Sequence, residues 1–337
     1  MKRIWFDITN TPQVHFLVGI SKLLSAEIFD CTFTARDFSE TVGLLRQKIG
    51  NDFLTIGSHY GKSRSKKIFG LGLRLLEISR TVKEYDISIS NGSESAIWLS
   101  AIKGKPSIAF GDNDLAKQWT YSKFVNHSFF PSAVDPEVLK KQGLKNKFTL
   151  YDGFKEDIYI SSFEPDVNFK QILPFDDYVV LRAENLQANY VSGKNSTTII
   201  PELLELLIEE GLNVVFLPRY ASDRELVPKS ESVYIPDVPL DGLNLVYHSK
   251  GVFTGAGTLA REAACMNIPS FSFFAGDRLL AVDQAMVKEG KMFFSRQPSE
   301  LVKAYTEFPL RIRSIENSKL IAHKLALILN KKLEELL

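Results

Sequence analysis

Long apolar runs are missing from this chain. No stretch is long and uncharged enough to span a bilayer. The apolar run in Met1-Lys2-Arg3-Ile4-Trp5-Phe6-Asp7-Ile8 is too short for a signal peptide and meets Asp7 at once. Excess charge is missing too: 41 Lys and Arg against 40 Asp and Glu give a net charge of +1, which leaves no overall electrostatic reason to bind nucleic acid. An anionic partner must be met by a local patch. Cysteine is scarce. Cys31 and Cys265 sit in different halves, one in a strand-like and one in a helix-like run, which suits reduced, buried thiols. The expected setting is the cytoplasm, in soluble form or at most peripheral to the inner face of the membrane.

Glycine is absent where a dinucleotide fold needs it. The loop Asp7-Ile8-Thr9-Asn10-Thr11-Pro12 after the first apolar run is polar but glycine-free, and the one Gly-x-Gly turn, Gly255 and Gly257, has Arg261 where a third packing glycine would help. A pyridine-dinucleotide dehydrogenase is set aside on that ground. Asp112-Asn113-Asp114 has the Asp-x-Asp form of some metal sites, but it lies far in sequence from that turn and such triplets favour turns and caps, so no metal is expected.

What is present is a balance of 45% hydrophobic and 24% charged residues over 337 positions, enough for two cores of ordinary size. Short apolar runs alternate with helical patterns: strands at residues 4–8, 31–35, 53–56, 87–90, 107–110 and 128–130, with helices at 14–27, 40–49, 68–84, from 94, and near 115–125. The segment 155–174, with Pro165 and Pro174, breaks the rhythm. A second series follows, with strands at 178–182, 214–217, 233–235, 252–254, 270–273 and 292–294. Its helices are expected at 197–210, 243–248, 259–266, 280–289, 299–308 and 315–337. Strands alternating with helices mean parallel sheets. The expected fold is α/β, two Rossmann-like doubly wound domains facing across a cleft. The expected boundaries are residues 1–157 for an acceptor domain, 158–176 for a hinge, 177–312 for a nucleotide-sugar domain and 313–337 for a closing helix.

The most informative motif is Gly251-Val252-Phe253-Thr254-Gly255-Ala256-Gly257-Thr258-Leu259-Ala260-Arg261-Glu262, a strand running through a glycine turn into a helix. Backbone N–H groups at such a helix start hold a phosphate or diphosphate. Its place in the second domain argues for a nucleotide sugar. Thr258 is read as the N-cap, which puts Arg261 at the capping-box position, a cation opposing the helix dipole. A bound diphosphate would supply the missing negative charge. Gly255 and Gly257 would let its oxygens approach, Thr258 would add a hydroxyl and Glu262 would accept from ribose. Arg182 and Arg219 both follow apolar strands, and a pair of guanidinium groups beside the turn suits leaving diphosphate charge.

On the acceptor side a base is needed near a hydroxyl. His15, opening the first helix, is the first choice, with Asp7, Asp112, Asp114 and Glu94 as alternatives. The basic run Lys62-Ser63-Arg64-Ser65-Lys66-Lys67 beside an apolar helix is either a peripheral contact with anionic lipid, bringing a lipid-linked acceptor within reach, or a solvated loop before a core helix.

Several segments carry a family resemblance over nearly the whole length. They are residues 5–16, Thr34-Ala35-Arg36-Asp37, Ser88-Ile89-Ser90-Asn91-Gly92-Ser93, Asp112-Asn113-Asp114, Tyr151-Asp152-Gly153-Phe154-Lys155-Glu156 and residues 255–264. The chain resembles domain-of-unknown-function family 354, regarded as GT-B-type glycosyltransferases and common in archaea. Gln13 and Asn91 stand where members of that family usually have histidine. Asp283-Gln284 resembles the pair by which the peptidoglycan N-acetylglucosaminyltransferase of lipid I contacts its donor sugar, which implies Gln284 for the sugar and Glu262 for the ribose. Arg182-Ala183-Glu184-Asn185 resembles the His-Arg-x-Glu-Asn segment of the non-hydrolysing UDP-N-acetylglucosamine 2-epimerase, with Leu181 in place of the histidine. The resemblance implies a metal-independent glycosyltransferase whose donor is a nucleotide-diphosphate sugar, UDP-linked for preference, and whose acceptor is a saccharide or a lipid-linked one. A sugar-nucleotide epimerase and a non-catalytic nucleotide-sugar binder are the alternatives.

Overall fold

A computed structural model describes residues 1–58, 64–187, 197–309 and 311–337, and of residues 64–69 the backbone alone. The chain forms two compact units. Unit 1 comprises Met1–Tyr159 with Lys319–Leu337, and unit 2 comprises Ile160–Ser318.

Unit 1 alternates strands and helices: β1 (Lys2–Ile8), α1 (Pro12–Lys22), β2 (Phe29–Asp37), α2 (Thr41–Ile49), β3 (Leu54–Ser58), α3 (Arg64–Thr81), β4 (Ile87–Ser90), α4 (Glu94–Ile102) and β5 (Ser107–Phe110). After these come β6 (His127–Pro131), α5 (Pro136–Lys141), β7 (Phe148–Tyr151) and α6 (Lys155–Ile160). Its seven strands run parallel in the order β3-β2-β1-β4-β5-β6-β7. The strands near the middle are buried on both faces, so β4 and β5 are short continuous buried runs rather than alternating ones.

Unit 2 repeats the plan with β8 (Val179–Arg182), α7 (Ile200–Glu209), β9 (Val214–Leu217), β10 (Val233–Tyr234), α8 (Gly242–His248), β11 (Gly251–Thr254) and α9 (Gly257–Cys265). It closes with β12 (Ser270–Ser272), α10 (Ala281–Lys288), β13 (Phe293–Phe294) and α11 (Pro298–Glu307). The six parallel strands are ordered β10-β9-β8-β11-β12-β13, the same inside-out pattern as in unit 1. Its core is built from Val179, Leu181, Phe216, Phe253 and Phe271 of the central strands against Leu203, Leu204 and Leu207 of α7. The last helix, α12 (Glu316–Leu336), returns to unit 1 and buries the stripe Ala322, Leu325, Leu329 and Leu333 at helical spacing.

The helix expected near residues 115–125 is not formed. A single 3₁₀ turn, Gln118–Thr120, stands there, because side chains take the backbone groups a helix would use. Asn113 Oδ1 accepts from Leu115 N at 2.8 Å, Gln142 Oε1 accepts from Gln118 N at 2.7 Å, and Gln118 Nε2 donates to the Asn113 carbonyl at 3.0 Å. The stretch read as breaking the rhythm carries α6, and the chain passes between the units within α6 and again within α12. The strand β7 and the helix α5 were too short to show a period. Lys62 and Ser63 of the basic run lie outside the described residues, and Arg64, Ser65, Lys66 and Lys67 are described only as backbone of α3. Among the described residues no helix is long and apolar enough to cross a membrane.

One pH effect belongs to unit 1 itself. His127 is buried at the start of β6 with its Nε2 2.8 Å from Thr149 Oγ1. Burial, and then the charge of Lys332 on α12, pushes its imidazole down to about 4, with Glu335 pulling the other way. The unfolded chain therefore binds this proton near the ordinary histidine value and the folded chain only near 4. Stability is complete above about pH 6.5 and is lost as the pH falls toward 4, by roughly 1–2 kcal/mol between pH 7 and pH 5. Urea midpoints at those two pH values check this: a His127→Gln variant is expected to flatten that part of the profile.

Candidate functional site

The order of the unit 1 sheet has a physical consequence. β1 and β4 are neighbours, but the chain leaves β1 toward β2 and β4 toward β5, so the connections diverge and open a crevice beyond their C-terminal ends. A cavity of about 320 Å³ lies there. Its walls include Thr9 after β1, Arg36 at the end of β2, Asn91 after β4, Glu94 at the start of α4, Asp112 after β5, and Gln118.

Behind this wall is a buried ion pair. Asp7, fully buried near the end of β1, faces Arg74 from α3: Nη2 donates to Oδ1 at 2.6 Å and Nη1 to Oδ2 at 2.8 Å. Thr34 Oγ1 donates to Asp7 Oδ1 at 2.6 Å and Ser93 Oγ to Oδ2 at 2.5 Å. Arg74 also donates to Ser95 Oγ at 2.9 Å and to the Ile56 carbonyl at 3.2 Å. Burial alone would raise the Asp7 carboxyl, but the Arg74 charge and the hydrogen bonds from Arg74, Ser93 and Thr34 hold it below the ordinary carboxylate range. Both oxygens are occupied, so Asp7 positions the walls of the cavity and has no open lone pair aimed at a substrate. Ser93 and Ser95 link the two layers, since both line the cavity. Ser93 also caps α4, accepting from Ala96 N at 3.3 Å.

The other acceptor-side candidates separate in space. Glu94 and Asp112 line the cavity. Asp112 is tied to Lys155 at 2.7 Å, with both side chains nearly buried. Glu94, in the first turn of α4, keeps a half-exposed position. Asp114 is buried, and its carbonyl accepts from Gln142 Nε2 at 3.3 Å. His15 is not among the residues lining the cavity; its ring is tilted against Tyr159 at 5.5 Å between centroids. Gln13, standing where histidine is usual, is a strut: Oε1 accepts from Thr9 N at 2.8 Å and Thr9 Oγ1 at 3.0 Å, while Nε2 donates to the Asn91 carbonyl at 3.1 Å. It pins the loop after β1 to the loop after β4. Arg36, Arg74 and Lys155 were not singled out individually from the sequence. The one visible signal was Arg74 as a lone cation inside the apolar run of α3.

Unit 2 has a topological switch point of the same kind, between β8 and β11. The glycine corner lies at it, with Arg182 at the end of the adjoining strand β8 and Arg219 just beyond β9. Gly255 is required by packing: a Cβ there would meet Glu184 Cβ at 2.4 Å and Glu184 Cα at 2.5 Å, so the loops after β8 and β11 touch through backbone. Glu184 in turn is buried, its Oε1 accepting from Ile199 N at 3.2 Å and lying 3.6 Å from Arg296.

Two expectations at this corner are corrected. The N-cap of α9 is Ala256, not Thr258, because the helix begins two residues earlier and Thr254 Oγ1 holds Ala256 N at 2.8 Å. The negative charge needed opposite Arg261 is supplied by the protein: Nη1 donates to Asp283 Oδ1 at 2.8 Å, and both side chains are buried. Gly257 makes room for that arrangement, since a Cβ would stand 2.9 Å from Arg261 Nη1. Thr258 is half-buried and Glu262 buried. Arg182 Nη1 donates to the Pro218 carbonyl at 2.9 Å, and Arg219 Nε is buried without a partner. Gln284 is exposed on α10, its amide donating to the Leu279 carbonyl at 2.8 Å.

Comparison with known proteins gives the following. The family model described as "Protein of unknown function (DUF354)" matches residues 2–333. An uncharacterized protein of Methanocaldococcus jannaschii, MJ0665, is 24% identical over 313 residues, which is 89% of each chain. Among solved structures, UDP-GlcNAc 2-epimerase from Neisseria meningitidis bound to UDP-GlcNAc superposes with a TM-score of 0.71 at 13% identity, covering 99% of this chain and 100% of the other. The glycotransferase of kitacinnamycin superposes with a TM-score of 0.67 at 11% identity, covering 98% of both. At such identities the likeness is one of fold: two parallel-sheet α/β domains of the GT-B-like kind that UDP-GlcNAc 2-epimerases and glycosyltransferases share.

Proposed function

The chain belongs to the DUF354 family, and from that premise we propose that it is a glycosyltransferase moving a sugar from a nucleotide-diphosphate donor to an acceptor. The observation that carries this reading is that each unit has a sheet switch point of its own, one beside a glycine-cornered helix N-terminus and one opening on a cavity lined by polar side chains. A transferase has two substrates to place, one for each unit.

In this reading unit 2 takes the donor. The first amides of α9 and the Thr258 hydroxyl hold the diphosphate, Arg182 and Arg219 offset the charge that develops on the leaving nucleotide, and Gln284 reaches the sugar. Unit 1 takes the acceptor, and Glu94 replaces His15 as the first choice for the base, since Glu94 lines the cavity. The epimerase alternative is weakened by Leu181, which stands at the histidine position of the epimerase segment and is fully buried in the unit 2 core.

A thermal-shift series with UDP, GDP, UDP-GlcNAc and NAD is the first test. A native-state ligand at about a hundredfold excess over its Kd adds about 2.7 kcal/mol of stability. Stabilisation by a UDP or GDP compound and none by NAD is the expected result, and no response to any nucleotide would sink the reading. Incubation with UDP-GlcNAc alone then separates the two enzymes: a transferase leaves the sugar configuration unchanged without an acceptor, whereas an epimerase alters it.

A further inference from the structure

The unit 1 cavity holds donors that the protein itself does not use. Arg36 Nε and Asn91 Nδ2 are buried without hydrogen-bond partners, and both residues line the cavity. Gln118, 2% exposed and lining the same cavity, leaves Oε1 without a partner. Buried polar groups are nearly always satisfied, so three orphans around one crevice call for an explanation.

Charge adds to this. Arg36 has no carboxylate partner among the described residues; its guanidinium lies over the Phe38 ring, 5.0 Å from its centroid. Burial, then the neighbouring charge of Arg74, holds the Arg36 guanidinium below its ordinary value, with Asp7 pulling the other way. Arg74 is already neutralised by Asp7 and Asp112 by Lys155. Arg36, Lys117 and Glu94 remain among the charged lining residues, so among the described residues the cavity carries one positive charge more than it answers. The N-terminus of α4, nine residues long, opens on the same space through Ser93, Glu94 and Ser95 and adds the positive end of its dipole.

We infer that the unit 1 cavity takes an acidic sugar, a saccharide bearing a carboxylate or phosphate, with the anion on Arg36 and Asn91 and a sugar hydroxyl on Glu94. This rests on the transferase reading and names its acceptor class. Arg36 is the specificity-determining residue. Its planar fork pairs two oxygens of an anion, whereas a neutral sugar leaves the guanidinium and the Asn91 amide as they are.

The test is isothermal titration of the full chain with glucuronate, glucose 6-phosphate and glucose, in the wild type, Arg36→Gln and Arg36→Lys. At least one acidic probe is expected to bind about tenfold or more tightly than glucose. Arg36→Gln should remove that preference and Arg36→Lys should keep part of it. A response confined to glucuronate assigns a carboxylate, and one confined to glucose 6-phosphate a phosphate. UDP-GlcNAc, titrated in parallel, should bind all three proteins alike, which shows that the variants fold and scores the donor reading independently. Equal binding of glucose and both acids to the wild type would overturn the inference, and so would an Arg36→Gln variant that keeps the acidic preference.

Discussion

An Arg74→Met variant is expected to lose about 3–5 kcal/mol of stability, because it strands a buried carboxylate. Asp7 is fully buried, and Arg74 is its cationic partner, giving two hydrogen bonds; Thr34 and Ser93 remain but carry no charge. The sign of the pH dependence should also reverse. In the wild type the Asp7 carboxyl is depressed, so its contribution is present above the ordinary aspartate value and is lost as the pH falls through the depressed one. Without Arg74, burial dominates and raises that carboxyl, so the variant should gain stability as the pH falls from 7 toward 5. Urea unfolding of a variant that also carries His127→Gln isolates this slope from the histidine effect, which runs the other way. Asp7→Asn combined with Arg74→Met should recover part of the loss. A single variant as stable as the wild type would mean that the pair does not hold the crevice walls, and Asp7 would return as a chemical candidate.

What the sequence made legible and what it hid follow from the range of the interactions. Runs such as residues 179–181 and Val214–Leu217 are continuous and apolar because parallel strands are covered on both faces, and alternation with helices then fixes the sheet type. The corner at Gly255 was legible as a turn into a helix, but its cause was not. That cause is contact with the backbone of Glu184, 71 positions away on the neighbouring strand's loop. Two buried ion pairs were hidden for the same reason: Asp7 and Arg74 are separated by 67 positions, and Arg261 and Asp283 by 22. Neither has a local pattern. The helix expected over 115–125 failed on a subtler count, since Asn113, Gln118 and Gln142 bond to backbone groups and periodicity does not weigh that competition.

The second large effect is expected at the donor corner. Read from sequence, Arg261 near the start of α9 asks for an outside anion, and an acidic substitution there should weaken donor binding. The structure gives the cation a partner of its own, Asp283, at 2.8 Å with both side chains about 5% exposed. Arg261→Met should therefore act first on stability, by about 3–5 kcal/mol, because Asp283 is left buried and unpaired; Arg261→Glu should cost more, since it sets two carboxylates together. Replacing the pair as a whole, Arg261→Met with Asp283→Leu, should return most of the loss, and the double-mutant cycle reads the coupling directly. The same double variant tests the donor site. If the diphosphate is held by the amides of α9 and by Thr258, Arg182 and Arg219, the affinity for UDP-GlcNAc should stay within about threefold, under 1 kcal/mol. A loss well beyond tenfold in a protein that folds would mean that Arg261 or Asp283 itself meets the donor, and the corner would then be a site whose own ion pair opens to admit its ligand.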